Sequence, residues 1–469
     1  MTTTSLLDRL AQRLGHNHVL TDYDLMAPYL AEERGNYASR ALAILRPKDT
    51  FDVAASVKEC AEAGVAIVPQ GGNTGLVGGT VSTQNQIILS LSRLNRVRGI
   101  NPANRAMTVE AGCILSQIQS AADEQGLLFP LSMASEGSCQ IGGNLATNAG
   151  GTSVLRYGNA RDLVLGLEVV LSDGTVWNGL KGLRKDNTGY DLKQLFIGSE
   201  GTLGIITAAT LKLFAKHHET VTAFLGLASP QAALDLLARL QDASGEQVTA
   251  FELMSRNSLE FVTGRIPGTS DPLSKPYPWY VLAEIATSRR DGAMAELMEG
   301  ELARAIDMGL AVDGTLAVSL AQRQALWKLR ESIPEAQKPE GASLKHDISV
   351  PVSCIPDFLE RAINAATSLI PGIRPCPFGH VGDGNLHFNL SQPKDLSKAD
   401  FLAARGQMAE AIHDIAASLG GSFSAEHGVG LLKLPDMMRY KQPVERDIMR
   451  RLKTALDPIT LLNPGKVVE

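Results

Sequence analysis

Pro69–Gly79 reads PQGGNTGLVGG, a segment in which nearly half of the residues are glycine. Its first two residues end an apolar run, Val65–Gln70 (VAIVPQ), which is predicted to form a buried strand, so the glycines directly follow that strand. A second glycine-rich segment, Ser135–Gly151, reads SEGSCQIGGNLATNAGG. Because glycine has no Cβ, such segments let backbone N–H groups approach and bind an anion. We interpret both as loops that hold a phosphate-bearing cofactor; flexible surface loops are the alternative.

Small side chains that can form hydrogen bonds lie between these glycines. They are Asn73, Thr74, Ser138, Asn144, Thr147 and Asn148. The chain has no G-x-x-x-x-G-K-[ST] motif, which excludes a P-loop nucleotidase, and no G-x-G-x-x-G motif follows a strand. A Rossmann site is therefore unsupported, and a different dinucleotide-binding fold remains.

The composition indicates a globular protein with more than one domain. The chain has 469 residues, of which 44% are hydrophobic and 20% charged, and a single core rarely serves this length. A net charge of −6 without any Lys/Arg-rich block argues against nucleic acid as a partner. The five cysteines are scattered and form no CxxC, which favours free thiols in a reducing compartment.

The chain shows no predicted membrane or secretory segment. Its first residues, MTTTSLLDRLAQRLG, lack a basic segment followed by a long apolar run. No apolar run approaches the ~20 residues that a membrane-spanning helix requires. We expect a cytoplasmic protein without a membrane span.

Strand and helix signals alternate in the first half. Apolar side chains at helical spacing predict a helix over Thr50–Ala63, which ends at Gly64. A second helix is predicted over Ile114–Glu124. The segment 163–176, LVLGLEVVLSDGTV, predicts a hairpin that turns at Ser172–Gly174.

The second half has a different pattern. It predicts helices over Phe224–Leu240 and Asp291–Met308 and a strand over Trp279–Ile285. We therefore expect three parts: a domain over 1–214, an α+β domain over 215–424, and a mostly helical C-terminal segment over 425–469.

Gly379–Asn389 reads GHVGDGNLHFN and predicts a hairpin. If Gly382–Asn385 form the loop, His380 lies opposite His387 on the neighbouring strand, with Cβ atoms roughly 4.5–5.5 Å apart. Asn389 shares the face of His387, since side chains on a strand alternate. Two imidazoles and an amide are thus expected to converge.

These two histidines are candidate metal ligands. Glu426, in the segment SAEHGVG, is a candidate third ligand. Two histidines and a carboxylate suit zinc, manganese or non-haem iron, with positions left open for substrate. The alternative is a cross-strand surface pair of histidines and a solvated carboxylate.

Several ordered motifs, from about Ala41 to the C-terminus, resemble a known family. Both glycine loops, RYG and FIGSEGTLGIIT (Phe196–Thr207) resemble the FAD-binding domain of the VAO/PCMH flavoprotein superfamily. GHVGDGNLHFN, SAEHGVG and NPGKVV resemble the C-terminal half of its FAD-linked D-2-hydroxy-acid dehydrogenases. The resemblance implies an α+β fold. A PCMH-type FAD-binding domain of two α/β subdomains precedes an α+β substrate- and metal-binding domain and a short C-terminal segment.

The resemblance also implies which residues hold FAD. Some relatives attach FAD through a histidine in the first loop, where this chain has Asn73, so we expect non-covalent FAD. The expected FAD-binding residues are Pro69, Gly71, Gly72, Asn73, Thr74, Gly75, Ser135, Gly137, Ser138, Gly142, Gly143, Asn144, Thr147, Asn148, Gly150, Gly201, Ile205, Ile206 and Asn463.

The same resemblance implies the roles of the substrate site. His427 is the expected catalytic base, and Arg330, Lys345 and Asn389 are the expected substrate-binding residues. His380, His387 and Glu426 are expected to bind a divalent metal, with zinc as the first choice. Pro334 stands where a threonine that binds the distal carboxylate is expected in the family, and proline offers no donor.

The implied activity is oxidation of D-2-hydroxyglutarate to 2-oxoglutarate, by hydride transfer from C2 to the flavin. Pro334 keeps D-lactate or another D-2-hydroxy acid open as the substrate. The implied electron acceptor is electron-transfer flavoprotein or a quinone pool, and a homodimer is an open alternative to a monomer. A metal hydrolase and a flavin-binding protein without this activity are the rival classes.

Overall fold

The computed structural model describes residues 3–468 and divides them into two compact units. The first unit comprises 3–151, 158–216 and 426–468. The second comprises 152–157 and 217–425. The predicted three-part division of the chain stays a prediction.

The helices are found throughout the chain. Within residues 3–468 they are α1 (Thr3–Leu14), α2 (Tyr23–Leu30), α3 (Thr50–Ala63), α4 (Leu115–Asp123), α5 (Ile141–Ala146), α6 (Val154–Tyr157), α7 (Lys193–Phe196), α8 (Pro230–Ser244), α9 (Arg256–Arg265), α10 (Ala293–Asp307), α11 (Leu320–Glu331), α12 (Ile333–Ala336), α13 (Ile355–Leu369), α14 (Lys398–Ala403), α15 (Arg405–Ser418), α16 (Leu434–Tyr440) and α17 (Pro443–Leu456). Among these described helices, none combines the length and the apolar character that crossing a membrane requires.

The strands of the described part of the chain form four sheets. In chain order they are β1 (Val19–Leu20), β2 (Ala43–Leu45), β3 (Ile67–Gln70), β4 (Ile87–Ser90), β5 (Val97–Asn101), β6 (Ala106–Glu110), β7 (Leu127–Leu128), β8 (Val164–Val170), β9 (Val176–Asn178), β10 (Ile205–Lys212), β11 (Phe214–Ala215), β12 (Glu219–Leu227), β13 (Val248–Ser255), β14 (Trp279–Thr287), β15 (Asp313–Leu316), β16 (Ser343–Ser349), β17 (Arg374–His380) and β18 (Asn385–Ser391).

The first unit contains a four-stranded sheet in the order β1-β2-β4-β3, in which β4 runs parallel to both β2 and β3. Helix α3 packs against this sheet through Val53, Val57 and Cys60. Asp49 caps the start of the helix, because its carboxylate accepts the N–H of Asp52 at 2.9 Å. Gly64 ends it with a left-handed φ of 68°. The predicted helix is confirmed.

The other large sheet of the first unit is antiparallel, in the order β5-β6-β10-β8-β9. Val170 of β8 pairs with Val176 of β9, so the predicted hairpin is confirmed, and Gly174 takes a φ of 82° in its turn. Helix α4 also confirms its prediction within one residue at each end. A two-stranded sheet of β7 and β11 completes this unit.

The second unit is built on a seven-stranded antiparallel sheet in the order β15-β12-β14-β13-β17-β18-β16. Helices α8, α10, α13 and α15 contribute to the larger apolar core, whereas α9, α11 and α12 contribute to a separate one with Met254 and Phe378. The predicted strand over Trp279–Ile285 and the predicted helix over Asp291–Met308 are confirmed as β14 and α10.

The helix predicted over Phe224–Leu240 is wrong at its start. Phe224 lies in β12, between β14 and β15, and the helix begins only at Pro230. The hydroxyl oxygen of Ser229 accepts the N–H of Ala232 at 3.2 Å, and Pro230 lacks the N–H that the first helical turn leaves unpaired. A fully buried strand is apolar on both faces, and such a run resembles a buried helix in sequence.

Gly166 on β8 offers a test of this packing. A Cβ added there would lie 2.2 Å from the carbonyl oxygen of Gly179. We expect Gly166→Ala to lower the free energy of unfolding by about 1–3 kcal/mol, because backbone must move to admit the methyl group. Urea unfolding measures the change.

Gly99→Ala on β5 is the matched control, since an added Cβ there meets nothing within 4 Å. Its effect should stay within about 0.5 kcal/mol, as is usual for surface substitutions. Equal stabilities of the two variants would contradict the packing described for β8.

Candidate active site

The two glycine loops of the first unit approach each other through their backbones. A Cβ on Gly72 would lie 2.4 Å from the carbonyl oxygen of Ser138, and one on Gly71 would lie 3.5 Å from the backbone nitrogen of Gly143. Asn73 takes a left-handed φ of 57° at the bend of the first loop. Glycine is therefore needed at position 72 for this close backbone approach, whereas a methyl group on Gly71 would make only ordinary van der Waals contact. The predicted binding of an anion by the loops stays a prediction.

Several predicted cofactor donors also hold the loops themselves. The side-chain amide of Asn73 donates to the carbonyl of Ala31 at 2.6 Å. The hydroxyls of Ser138 and Thr147 donate to backbone carbonyls at 3.3 and 3.0 Å. Because a hydroxyl can also accept a hydrogen bond, these contacts leave Ser138 and Thr147 able to meet a ligand donor.

Buried acceptors in the second loop test whether a cofactor fits here. The side-chain oxygens of Gln140 and Asn144 are buried and have no hydrogen-bond partner within residues 3–468. A buried amide oxygen without a partner costs about 1–3 kcal/mol, so such atoms call for a ligand donor or an ordered water. The donors of FAD, its amino, imide and hydroxyl groups, fit these acceptors.

Two further predicted FAD-binding residues of this unit, Gly201 and Asn463, contact the first loop or the strand before it. Gly201 packs against the ring of Pro69, with a φ of 72°. The side-chain amide of Asn463 donates to the carbonyl of Gly79 at 3.0 Å, and its backbone N–H donates to Ile67 at 2.7 Å. Ile205 and Ile206 begin β10 and are buried. The other residues predicted to bind FAD lie in the two glycine loops.

In the second unit, a fully buried glutamate, Glu252, lies in the middle of β13. One carboxylate oxygen contacts Nδ1 of His380 at 2.6 Å, and the other accepts Nε of Arg330 at 2.7 Å. Burial would raise the pKa of Glu252, but the charge of Arg330 and the contact with His380 lower it to about 2. Glu252 is therefore an ionised carboxylate that binds both side chains.

Sequence reasoning missed Glu252, although the signal is present. TAFELMS is a fully buried strand with one carboxylate at its centre. A glutamate is almost never fully buried unless it is paired, so its position indicates a cationic or imidazole partner.

The hairpin with the two histidines is confirmed, but its predicted register is wrong. Phe378, rather than His380, lies opposite His387, and His380 instead pairs with Glu252 on β13. The connection has the predicted four residues but begins one residue earlier, because a turn of 3₁₀ helix over Val381–Asp383 and then Gly384 joins the two strands. A shift of two residues keeps His380 on the same face, and the two imidazole rings lie 5.7 Å apart.

The predicted substrate-binding residues lie on or beside the face of the seven-stranded sheet that carries His380 and His387. Arg330 is buried on α11, and its guanidinium stacks 4.7 Å above the ring of Phe378. Lys345 on β16 lies opposite Asn389 on β18, and Asn389 donates to the side chain of Gln337 at 2.8 Å. Their predicted contacts with substrate stay predictions.

Asp347 is a further acidic group that sequence reasoning missed. It lies opposite His387, whose Nδ1 is 3.9 Å from its carboxylate. Lys345 lies two residues before Asp347 in SLKHDIS and therefore shares its face of the strand. These two charged residues mark a polar face on the edge strand of the sheet.

Glu426 and His427 belong to the first unit, whereas His380 and His387 belong to the second. Within the first unit, Nε2 of His427 lies 3.9 Å from the carboxylate of Glu426. The metal set and the catalytic base stay predictions.

Comparison with known proteins identifies the family. Residues 41–179 match the family model "FAD binding domain", and residues 216–467 match "FAD linked oxidases, C-terminal domain". The chain belongs to the FAD-linked oxidase family. The FAD-binding assignment is thereby confirmed.

Relatives within this FAD-linked oxidase family extend over nearly the whole chain. A D-2-hydroxyglutarate dehydrogenase of Bos taurus, named mitochondrial, is 40% identical over 461 residues, which cover 97% of this chain and 82% of the relative. One of Xanthomonas citri pv. viticola is 39% identical over 428 residues, which cover 91% of this chain and 89% of the relative. The resemblance read from the motifs and the class of FAD-dependent hydroxy-acid dehydrogenase are confirmed by these relatives and the two family models.

Two solved structures share the fold. p-Cresol methylhydroxylase with substrate bound superposes with a TM-score of 0.75 at 17% identity, over 99% of this chain and 96% of that one. An alkyldihydroxyacetonephosphate synthase gives a TM-score of 0.74 at 15% identity, over 99% of this chain and 85% of that one. The predicted α+β fold with a PCMH-type FAD-binding domain is confirmed.

Gly72 offers a test of the cofactor loops. Gly72→Ala would place a methyl group where the loop meets the carbonyl oxygen of Ser138, so the two loops must separate. We expect the purified variant to lose most of its FAD, measured as the ratio of flavin to protein absorbance. Gly99→Ala, outside both loops, should keep its FAD. Full FAD occupancy in Gly72→Ala would show that FAD binding does not depend on the close approach of the two glycine loops.

Proposed function

We propose that the protein oxidises D-2-hydroxyglutarate to 2-oxoglutarate, with FAD as the hydride acceptor. The observation that carries this proposal is the polar face of the seven-stranded sheet. There a buried arginine, two histidines and a lysine occur together in a chain of the FAD-linked oxidase family. Arg330 and Lys345 carry positive charges that can bind the two carboxylates of a 2-hydroxy diacid. The two imidazoles can bind a metal that holds its 2-hydroxyl group.

The two glycine loops would hold FAD without a covalent bond, since Asn73 stands where some relatives carry the attached histidine. When bound, FAD supplies an acceptor for a hydride, which is two electrons and one proton. The unpaired acceptors of Gln140 and Asn144 support this role for the second loop.

A divalent metal would be bound by His380, His387 and Glu426, with zinc as the first choice. The contact of His380 Nδ1 with Glu252 supports this assignment, because a carboxylate that binds one ring nitrogen directs the other towards a metal. A metal at this site would supply a Lewis acid for the 2-hydroxyl and C1 carboxylate of the substrate.

His427 would act as the base. It would take the proton of the 2-hydroxyl group while the C2–H bond breaks and the C2–O bond becomes a carbonyl, so that one hydroxy acid yields one oxo acid and one proton on His427. Bound FAD would supply the acceptor for the hydride that leaves C2. Histidine suits this step, because its ordinary pKa lies near neutral pH.

Arg330 and Lys345 would bind the carboxylates, with Asn389 as an additional polar contact. Since Nε of Arg330 binds Glu252, its Nη edge is the one that would hold a carboxylate. Pro334, on α12, offers no donor and favours D-lactate as the second candidate substrate.

Three further expectations belong to this proposal. Electron-transfer flavoprotein or a quinone pool would reoxidise the flavin, and a homodimer is an open alternative to a monomer. A cytoplasmic location also stays a prediction, and the relatives of Bos taurus and Oryza sativa carry the word mitochondrial in their names.

An anaerobic titration tests the proposal directly. We expect D-2-hydroxyglutarate to bleach the visible flavin band of the purified protein, because hydride transfer reduces the cofactor. Protein depleted of metal by a chelator should keep its yellow colour on addition of the acid, and added zinc should restore bleaching. Bleaching that survives chelation would contradict the metal assignment, and a flavin reduced only by D-lactate would contradict the substrate.

Lys345 separates the two candidate substrates. Lys345→Ala should lower kcat/KM for D-2-hydroxyglutarate tenfold or more, because losing a hydrogen bond to a charged group costs about 1.5–3 kcal/mol. The value for D-lactate, which has no distal carboxylate, should change little.

Lys398→Ala is the control for the general loss of a positive charge, because Lys398 is an exposed lysine at the start of α14 in the same unit. It should affect neither substrate. If Lys345→Ala lowered kcat/KM equally for both acids, Lys345 would not bind the distal carboxylate.

A further inference from the structure

A buried carboxylate in the first unit, Glu200, has a geometry that none of the roles above uses. It lies between Ser199 and Gly201 in FIGSEGTLG and is 9% exposed. One of its oxygens accepts the backbone N–H of Val429 at 2.7 Å, and the other accepts that of Gly430 at 2.8 Å. Both oxygens thus bind consecutive amides of the turn that follows His427.

The backbone of Glu200 is itself held in place. Its N–H donates to the carbonyl of Ala146 at 2.8 Å, and its carbonyl accepts the side-chain amide of Asn463 at 2.7 Å. Glu200 takes a left-handed φ of 51°, which is uncommon for a residue with a Cβ. An unfavourable backbone conformation that several hydrogen bonds maintain indicates a side chain that must point in one direction.

The glycines of HGVG fit this carboxylate closely. A Cβ on Gly428 would lie 2.7 Å from an oxygen of Glu200, and one on Gly430 would lie 2.3 Å from the carbonyl of Val77. That same carbonyl accepts the N–H groups of Leu431 and Leu432 at 2.9 and 3.1 Å. The turn after His427 is therefore fixed on one side by Glu200 and on the other by Val77.

Electrostatics explain why the contact is sensitive to change. Burial raises the pKa of Glu200, although the two amides and the charge of Lys433 act in the opposite direction. A carboxylate in such surroundings depends on every donor it has, and consecutive N–H groups pointing at one anion form a compact site for it.

We propose that Glu200 is a positioning residue, which sets the direction of the His427 imidazole by holding the two amides that follow it. This inference rests on the proposed function of His427 as the base. Glu200 touches neither substrate nor cofactor in this role, and acts only through the turn.

The test uses the Glu200→Gln holoenzyme and follows anaerobic flavin reduction by D-2-hydroxyglutarate in a stopped-flow instrument. The amide replaces one acceptor oxygen with a donor that faces another N–H, so one contact is lost. We expect the limiting reduction rate to fall about tenfold or more, while the substrate Kd and the FAD content stay near wild-type values. Loss of a residue that only stabilises the fold would not lower the reduction rate while the substrate Kd and the FAD content stay unchanged.

Glu168→Gln is the matched control. Glu168 is also a buried glutamate of the first unit, 6% exposed, and it binds Thr50, Thr207 and Arg98 rather than the turn. Its substitution should lower stability in urea and leave the limiting reduction rate unchanged. An equal fall in rate in both variants would overturn the proposal.

A double-mutant cycle with His427→Ala separates the two proposals. If Glu200 acts through His427, adding Glu200→Gln to His427→Ala should slow reduction no further. A further fall of about tenfold would overturn the positioning role while His427 remained the base. A wild-type rate in His427→Ala would instead show that His427 is not the base. The positioning role of Glu200, which acts through that base, would then be overturned as well.

Glu200→Asp keeps the experiment decisive if Glu200→Gln loses its FAD. Aspartate retains the charge and both acceptor oxygens but is one methylene shorter. Slowed reduction with bound FAD would support the proposal, and a wild-type rate would overturn it.

Discussion

Backbone lying directly on backbone is the constraint on which the FAD-binding unit depends. Gly72 approaches Ser138, Gly112 approaches Leu91 and Gly430 approaches Val77 so closely that an added Cβ would lie within 2.4 Å of each carbonyl oxygen. Segments that are distant in the chain can therefore meet without side chains between them. Close backbone approach of this kind would let amide groups and small polar side chains from both glycine loops reach the FAD that we propose they bind.

The second unit depends on a buried charge. A carboxylate at the centre of a buried strand would cost several kcal/mol without partners, so Glu252 requires both Arg330 and His380. The same contacts orient the guanidinium of Arg330 and engage Nδ1 of His380, which leaves Nε2 of that ring for the metal that we propose. One buried residue thus links the folding of the sheet to the orientation of two proposed site residues.

Local patterns predicted much of the fold because their signals span only a few residues. Helix α3 was predictable from its spacing of apolar side chains and from Gly64, and the hairpin of β8 and β9 from Asp-Gly in its turn. The helix predicted to begin at Phe224 failed where a strand is buried on both faces, because periodicity then disappears. The hairpin of the histidines was found, but its register depended on pairing with β13, which no local pattern reveals.

The sequence by itself determined the chemistry available to this protein: glycine loops for a cofactor, a cluster of histidines and cations, and motifs that assign the FAD-linked oxidase family. Only the tertiary structure decided which groups meet. Glu252 and Arg330 are 78 positions apart, and Glu200 lies 229 positions before Val429. Such pairs form because the packing of whole sheets and loops brings them together, and the free energy of that packing is spread over many residues distant in sequence. The local sequence therefore shows that a buried carboxylate such as Glu252 or Glu200 needs hydrogen-bonding partners, while the fold determines which residues supply them.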